Sequence, residues 1–228
     1  MKKNKTVAII PTKNEENAIG SVIKETKRYV DEIIVIDGNS KDKTVKIARK
    51  YGAKIFHGEG NGKGNDFSKF LKEYKIKSNN LYIMLDGDGS YSPNYIPLFV
   101  KSLKNYEVVS GKRANLISNN FLHCIGNKII SSAGFLLFGK YTDICTGMWG
   151  FRGEILKKLE ISAKGFELEA NIFTNIVKLN LKHKEIKIKC SKRIGKKKLK
   201  KIDGLRILCF LFKEKLKDIK TYAPKILW

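Results

Sequence analysis

The chain has 228 residues, of which 42% are hydrophobic and 30% charged, and this suffices for one large domain with or without a C-terminal appendage. Its 46 Lys and Arg residues against 22 Asp and Glu residues give a net charge of +24, which indicates either a solvated lysine surface or a polyanionic partner. Four widely spaced cysteines and no apolar run of about 18 residues argue against a disulfide framework and a membrane span, so we expect a cytosolic protein with buried thiols, at most peripheral to a membrane.

The first half of the chain alternates short apolar runs with helical patterns. Five runs rich in Val, Ile and aromatic residues predict strands buried on both faces, at 6–11, 32–37, 53–57, 81–86 and 106–111. Amphipathic patterns between them predict helices, for example at 16–30 and 41–52. This alternation predicts an α/β fold with a doubly wound, mostly parallel sheet, in which ligands bind at the carboxyl ends of the strands.

The segment "LDGDGSYSP" (85–93) places Asp86 and Asp88 where a predicted strand ends. A calcium loop counted from Asp86 would need Gly and Glu where Tyr91 and Pro97 stand, and an aspartyl phosphatase would need an acidic cluster downstream that the sequence lacks. A simple polar turn is disfavoured because two neighbouring carboxylates repel each other. We therefore rank first a divalent metal, Mg²⁺ or Mn²⁺, that holds a nucleoside diphosphate and neutralises its charge.

The glycine-rich segment "HGEGNGKGND" (57–66) fits no known phosphate-binding pattern. Its glycine spacing fails both the P-loop and the dinucleotide fingerprint. We interpret it as a flexible loop with one lysine, Lys63, placed before a helix.

The second half of the chain has a different organisation. Residues 120–138 and 166–180 have helical patterns, 141–153 form a loop that enters a short strand, and 184–190 alternate as a half-exposed strand. A basic run at 191–201 precedes a predicted amphipathic helix at 203–220. The apolar face of that helix consists of Leu205, Leu208, Phe212, Leu216 and Ile219.

The motifs of both halves stand in a recognisable order: "IIPTKNEENAIG", "IVIDGNSKDKT", "GNGKGN", "LYIMLDGDGSY", "SGKR", "DICTGMWGFRGEIL", "GFELEANI" and "KRIGKKKLKKIDGLRIL". This order resembles family 2 glycosyltransferases of the GT-A fold, and more narrowly dolichyl-phosphate sugar synthases of the dolichol-phosphate mannose synthase type. The likeness runs from about residue 6 to 210. It implies a GT-A domain at 1–202, with a nucleotide-binding half (1–111) and an acceptor half (112–202), followed by an amphipathic helix and tail at 203–228.

The resemblance implies an inverting hexosyltransferase that moves a sugar from a nucleotide sugar to dolichyl or polyprenyl phosphate with the aid of Mg²⁺ or Mn²⁺. Two motifs depart from the family pattern, because the usual DDGS is "DGNS" here, with Gly38 as its second residue, and the usual SGFR is "TGMWGFR", which gives Arg152 no implied role. The "DGDGSY" and "DGxS" motifs are similar to archaeal enzymes that load the first sugar for protein N-glycosylation. We therefore favour a UDP-sugar, UDP-N-acetylglucosamine or another UDP-hexose, over GDP-mannose.

The resemblance also assigns roles by position. Pro11, Thr12 and Glu15 would line the nucleotide pocket, Asp37 would contact base or ribose, and Lys63 would lie near the nucleotide sugar. The implied metal site consists of Asp86 and Asp88, with Ser90 as a third contact. The remaining implied residues serve the phosphates and the acceptor: Arg113, Arg193 and Lys198 for phosphate charge, and Glu167 and Glu169 at a helix near the acceptor.

An acceptor of this kind needs little proton transfer. A phosphate monoester has a second pKa of about 6 and is largely dianionic near neutrality. Asp143 is the one candidate for an assisting carboxylate, and the alternative is that it shapes its loop. The predicted catalytic set is thus Asp88, Asp143 and Arg193.

The basic run 192–201 and the helix after it favour peripheral attachment to the cytoplasmic face of an anionic membrane. Two other functions stay open. One is a family 2 transferase with a polysaccharide or other acceptor. The other is a non-catalytic protein that binds a polyanion or lipid, although the two aspartates argue against nucleic acid as a partner.

Overall fold

A computed structural model describes residues 4–115, 121–195, 198 and 200–222. A seven-stranded sheet runs through the molecule in the order β3-β2-β1-β4-β6-β5-β7. The strands are β1 Thr6–Thr12, β2 Glu32–Asp37, β3 Lys54–His57, β4 Leu81–Met84, β5 Val108–Asn115, β6 Trp149–Arg152 and β7 His183–Lys189. The helices are α1 Ile19–Thr26, α2 Thr44–Lys50, α3 Lys63–Glu73, α4 Ile96–Ser102, α5 Phe121–Phe138, α6 Gly153–Leu156, α7 Leu168–Lys178 and α8 Lys201–Tyr222.

The sheet confirms the predicted α/β architecture with mostly parallel strands. β1 pairs in parallel with β2 and β4, β2 with β3, and β5 with β7. The exception is β6, which lies antiparallel between β4 and β5. Because β1, β2 and β4 run in the same direction, their carboxyl ends meet at one edge, as expected for a ligand site.

Apolar side chains cover both faces of the sheet. One cluster lies under α3, α6 and α7 and includes Phe67, Trp149 and Phe151, and a second lies under α1 and α4 and includes Ile10 and Phe99. Strands with helices on both sides are buried on both faces, which explains their unbroken apolar sequences. The predicted strand at 81–86 ends at Met84, so Asp86 and Asp88 lie in the turn that follows it.

The last helix, α8, has two apolar faces. Ile207 and Leu211 are buried in a third cluster against α5 and α7, whereas Leu205, Phe212 and Leu216 are 53–58% exposed. The predicted single face is therefore divided, and Leu208 is only partly buried against the inner cluster. The Ile219 side chain and residues 196, 197 and 199 of the predicted basic run lie outside the described residues.

Within the part of the chain that the structure describes, no helix combines the length and the hydropathy needed to cross a membrane.

The prediction of buried thiols holds only in part. Cys145 and Cys190 are partly buried, but Cys209 lies on the exposed side of α8. The Cys124 side chain lies outside the described residues. The prediction was wrong for Cys209 because helical spacing places it on the outer face of α8, four residues after Leu205 and three before Phe212.

Candidate active site

A cleft of about 1820 Å³ opens at the carboxyl ends of β1 and β4. Its floor includes Pro11 and Thr12 from the end of β1, and Asp86, Asp88 and Ser90 from the turn after β4. The predicted residues Glu15, Lys63, Arg113, Glu169, Arg193 and Lys198 also line it. Segments as distant in sequence as residues 11 and 198 therefore meet at the edge of the sheet where ligands bind in folds of this type.

Lys63 connects two carboxylates of the cleft. Its Nζ lies 2.6 Å from Asp86 Oδ1 and 2.6 Å from Glu169 Oε1. Burial alone would lower the pKa of the Lys63 ammonium, but the charges of Asp86 and Glu169 outweigh burial and raise it. Lys63 therefore stays protonated and positively charged beside the acidic turn.

The Asp86 carboxyl group has a pKa raised to about 6. Burial is the main cause, and the charges of Asp88 and Glu169 add to it, whereas Lys63 acts in the opposite direction. The carboxylates of Asp86, Asp88 and Glu169 therefore concentrate negative charge at this point. Such a concentration favours a bound cation.

A second ion-pair group is built around Arg193. Its Nη2 donates to Glu15, which also accepts from Lys198 Nζ, and its Nη1 lies 3.1 Å from Asp88 Oδ2. The segment that carries Arg193 is fixed to the turn after β4, since Ile194 N donates to Asp88 O at 2.9 Å. Arg193 Nε is buried without a partner among the described residues.

Glycines let the surrounding loops approach these carboxylates. A Cβ at Gly147 would lie 2.1 Å from Asp86 Oδ2, and a Cβ at Gly87 would lie 2.5 Å from Thr12 Oγ1. A Cβ at Gly64 would lie 2.3 Å from Ala163 O. Gly62 approaches the same loop before α7, since a Cβ there would lie 2.4 Å from Lys164 O. Flexibility of the glycine-rich segment stays a prediction.

The acidic turn fits a hard divalent cation. Asp86 and Asp88 offer carboxylate oxygens, the ligand type that Mg²⁺ and Mn²⁺ prefer. Gly147 leaves free the space that a Cβ would fill beside Asp86 Oδ2. Within the described ranges no three His, Cys, Asp or Glu side chains could enclose a metal by themselves. Further ligands would therefore have to come from a diphosphate and water.

Arg113 and Asp143 form an ion pair at the wall of the cleft. Arg113 Nη2 lies 2.6 Å from Asp143 Oδ1, and Asp143 N donates to Glu185 Oε1 at 2.8 Å. Arg113 lines the cleft, whereas Asp143 lies behind it. Asp143 thus contacts the cleft through the arginine.

Two other predicted residues also lie behind the wall. Asp37 is buried at the end of β2, where its carboxylate accepts from Ser40 N. Glu167 turns back on its own loop and accepts from Gly165 N at 2.8 Å. Arg152 donates to the carbonyl of Leu103, in agreement with its lack of an implied role. The roles of Asp37 and Glu167 stay predictions.

The opposite end of the cleft is apolar and was missed in the sequence. It lies between α5 and α8 and is lined by Ile130, Ile144, Ala170 and Ile207. Gly126 on α5 and Gly204 on α8 also line it, and a Cβ at either position would meet no atom within 4 Å. Nearby, Ile129 and Leu136 of α5 are 51% and 82% exposed. The helical pattern alone could not show that these two helices share a cleft.

Asp66 was missed as well. It is buried in the first turn of α3 and lines the cleft. An aspartate in the first turn of a helix is common because it complements the helix dipole, so the sequence offers no signal that this one faces a ligand site.

Comparison with known proteins identifies relatives of this chain. The family model described as "Glycosyl transferase family 2" matches residues 7–160. A dolichyl-phosphate hexose transferase of Haloferax volcanii is 30% identical over 203 residues, which cover 86% of this chain and 87% of the relative. A UDP-N-acetylglucosamine–dolichyl-phosphate N-acetylglucosaminyltransferase of Methanococcus voltae is 29% identical over 209 residues, which cover 78% and 83% of the two chains.

The fold is also found in solved structures. Glucosyl-3-phosphoglycerate synthase from Mycobacterium tuberculosis, in complex with Mn²⁺, UDP-glucose and phosphoglyceric acid, superposes with a TM-score of 0.73 at 19% identity. The match covers 93% of this chain and 80% of that one. This likeness establishes the GT-A fold.

Proposed function

The chain belongs to glycosyl transferase family 2 and is a glycosyltransferase, and from this premise we propose that it moves a sugar from a UDP-sugar to dolichyl or another polyprenyl phosphate with inversion. We favour UDP-N-acetylglucosamine as donor and protein N-glycosylation as the process served. Two relatives support this proposal, since the names of both include dolichyl phosphate and the name of one includes UDP-N-acetylglucosamine.

The observation that carries the proposal is one continuous cleft with a charged end and an apolar end. The charged end holds Asp86, Asp88 and Arg193, and the apolar end lies between α5 and α8. Its volume of about 1820 Å³ exceeds the roughly 300–1,000 Å³ of ordinary small-ligand sites. It offers room for a nucleotide sugar together with a phosphate that carries an apolar chain.

Asp86 and Asp88 would hold the divalent metal, with Ser90 at the same turn. When bound, the metal neutralises charge on the diphosphate as it leaves. The protein's own cations act on the same phosphates. Lys63 carries a firm positive charge beside Asp86, and Arg193 Nε is a buried donor without a protein partner among the described residues. An unpaired buried donor is costly, so a phosphate oxygen is its expected partner.

The transfer itself needs little acid–base help from the protein. An oxygen of the acceptor phosphate forms a bond to the anomeric carbon while the bond from that carbon to the diphosphate oxygen breaks, and the electron pair leaves with UDP. The acceptor is already largely dianionic near neutral pH, so no proton has to be removed from it. Arg113, Arg193 and Lys198 would orient the two phosphate groups and exclude alternative poses.

We further propose that the protein attaches peripherally to membranes. The exposed side chains of α8, Leu205, Phe212 and Leu216, would enter the interface. The exposed Lys192 and Lys200 would contact anionic headgroups. This arrangement would bring the apolar end of the cleft next to the bilayer that holds the acceptor.

The test is a transfer assay with a panel of radiolabelled nucleotide sugars, dolichyl phosphate and Mn²⁺. The expected result is label that moves into the organic phase from a UDP-sugar and not from GDP-mannose. Label that reaches only a polysaccharide or another water-soluble acceptor would replace dolichyl phosphate in the proposal. The matched reaction without lipid phosphate reports hydrolysis of the donor.

A further inference from the structure

A carboxylate outside the two ion-pair groups faces the cleft. Asp66 is 5% exposed, lies in the first turn of α3 and lines the cleft beside Thr12 and Gly38. Its Oδ1 accepts the backbone N–H groups of Glu59 at 2.7 Å and Gly60 at 3.0 Å. Its Oδ2 accepts no hydrogen bond from any described residue, and none of the ion pairs of residues 4–115, 121–195, 198 and 200–222 includes Asp66.

Two glycines make room for this side chain. A Cβ at Gly58 would lie 2.5 Å from Asp66 Oδ1, and a Cβ at Gly38 would lie 3.0 Å from Asp66 Oδ2. Gly38 directly follows the last residue of β2. The Asp66 carboxylate therefore reaches the end of β2 from another element of the fold. Asp66 Oδ2 is reachable from the cleft, because Asp66 lines it and Oδ2 is not among the fully buried atoms without a partner. A ligand in the cleft can therefore donate a charge-assisted hydrogen bond to it.

The position of Asp66 on α3 fixes which part of a nucleotide it can meet. Lys63 and Asp66 are three residues apart, so they share one face of the helix about 5–6 Å apart at their Cβ atoms. Lys63 reaches the acidic turn where the diphosphate is proposed to bind. Asp66 lies one turn further along the same face, against the residues that follow β2 and β3, where the nucleoside end of the same ligand would lie.

The hydrogen bonds that the Asp66 carboxylate already makes limit which bases it can recognise. Two amides already occupy Oδ1, so only Oδ2 remains open to a donor of the ligand. The imide N3–H of uracil can be that donor, whereas cytosine and adenine present their exocyclic amino donors beside a ring nitrogen, N3 or N1, whose lone pair a carboxylate repels. Guanine presents N1–H and N2–H side by side and would be bound best by two free oxygens.

We propose that Asp66 is a specificity-determining residue whose Oδ2 accepts the N3–H of a uracil base in a nucleoside diphosphate. This inference rests on the proposed UDP-sugar donor and names the residue that selects its base. It concerns binding alone and involves neither the sugar nor the lipid.

The test is isothermal titration calorimetry of the full chain with UDP, CDP and N3-methyl-UDP in the presence of Mn²⁺. The parent is expected to bind UDP about tenfold to a hundredfold more tightly than the other two, the range for a hydrogen bond to a charged group. Asp66→Asn keeps an acceptor for the two amides but replaces the carboxylate, so UDP affinity should fall by about tenfold or more. The preference for UDP over CDP should shrink, since an amide N–H can donate to cytosine N3.

Glu59→Gln is the matched control. Glu59 is exposed in the same loop, and its substitution removes the same charge without altering the carboxylate that faces the cleft. The ratio of its affinities for UDP and CDP should equal that of the parent. Gly38→Ala is a second variant, which leaves the contacts of Asp66 Oδ1 in place and sets a methyl group against Asp66 Oδ2. It should also lower the affinity for UDP.

The inference is overturned if the parent binds N3-methyl-UDP as tightly as UDP. It is also overturned if a folded Asp66→Asn variant keeps the parental ratio of affinities for UDP and CDP. The outcomes separate it from the proposed function. Lipid product from a UDP-sugar together with an unchanged ratio in the variant removes only the role of Asp66. Selective, Asp66-dependent UDP binding without any lipid product removes only the proposed acceptor.

Discussion

Asp143 binds the guanidinium of Arg113 with both of its carboxylate oxygens, since Arg113 Nε donates to Oδ2 at 2.7 Å and Nη2 donates to Oδ1 at 2.6 Å. Each side chain is only 14% exposed. Burial by itself would lower the pKa of the arginine, but its bond to Asp143 outweighs burial and raises it. A carboxylate with both oxygens engaged in this way is suited to orient Arg113 and poorly suited to accept a proton.

The first prediction therefore concerns Asp143→Asn. The substitution should lower kcat/KM by about tenfold or more because Arg113 loses its charged partner, and the loss should be the same from pH 6 to pH 9. A double-mutant cycle with Arg113→Ala should show that Asp143→Asn costs nothing further once the arginine is gone. A loss that varies with pH, or additive losses in the cycle, would instead support Asp143 as an assisting base.

A second prediction concerns the outer face of α8. Replacement of Leu205, Phe212 and Leu216 by Gln should abolish the salt-resistant part of binding to anionic vesicles, because each buried apolar side chain contributes about 1.5–3 kcal/mol. The salt-sensitive part should persist, since the lysines are unchanged. Vesicle co-sedimentation at low and high salt measures both parts.

The control for the membrane experiment is Leu98→Gln, at a residue of α4 that is 49% exposed. Substitution is preferable to truncation before residue 203, because truncation would also remove Ile207 and Leu211 from the interior. Absence of binding by the parent at low salt, or parental binding by the triple variant at high salt, would contradict the membrane proposal.

A third prediction concerns stability at mildly acidic pH. His183 is partly buried, stacks on Trp149 and lies 2.9 Å from Ser110 Oγ. Burial, aided by the charge of Lys140, lowers the pKa of His183 from 6.5 to about 4. The unfolded chain therefore binds more protons between pH 4 and 6.5, so the free energy of unfolding should fall as the pH drops through this window.

Urea unfolding at pH 7 and pH 5 measures the effect of His183. We expect this residue to account for about 2 kcal/mol of the difference between the two pH values, and His183→Gln to lack that share. The exposed His57 provides the control, since His57→Gln should keep the parental pH dependence. An equal pH dependence in parent and His183→Gln would show that His183 titrates alike in both states.

Much of the fold could be predicted from the sequence, because buried parallel strands leave unbroken apolar runs separated by amphipathic helices. The position of β6, antiparallel between β4 and β5, could not, since strand order depends on long-range packing. Asp86 and Asp88 could be found because both follow a strand within four residues. The contact of Lys63 with Glu169 joins residues 106 apart, and no local pattern encodes it.

The central claim is that the cleft around Asp86 and Asp88 transfers sugar from a UDP-sugar to a lipid phosphate with a divalent metal. The most direct measurement follows label into the organic phase for the parent, Asp88→Asn and the control Asp218→Asn, each with Mn²⁺ and with EDTA. We expect lipid product from the parent and the control only with Mn²⁺, and a loss of about a hundredfold or more in Asp88→Asn at an unchanged unfolding temperature. Full activity in EDTA, or an Asp88→Asn variant as fast as the parent, would contradict metal-dependent transfer at this cleft.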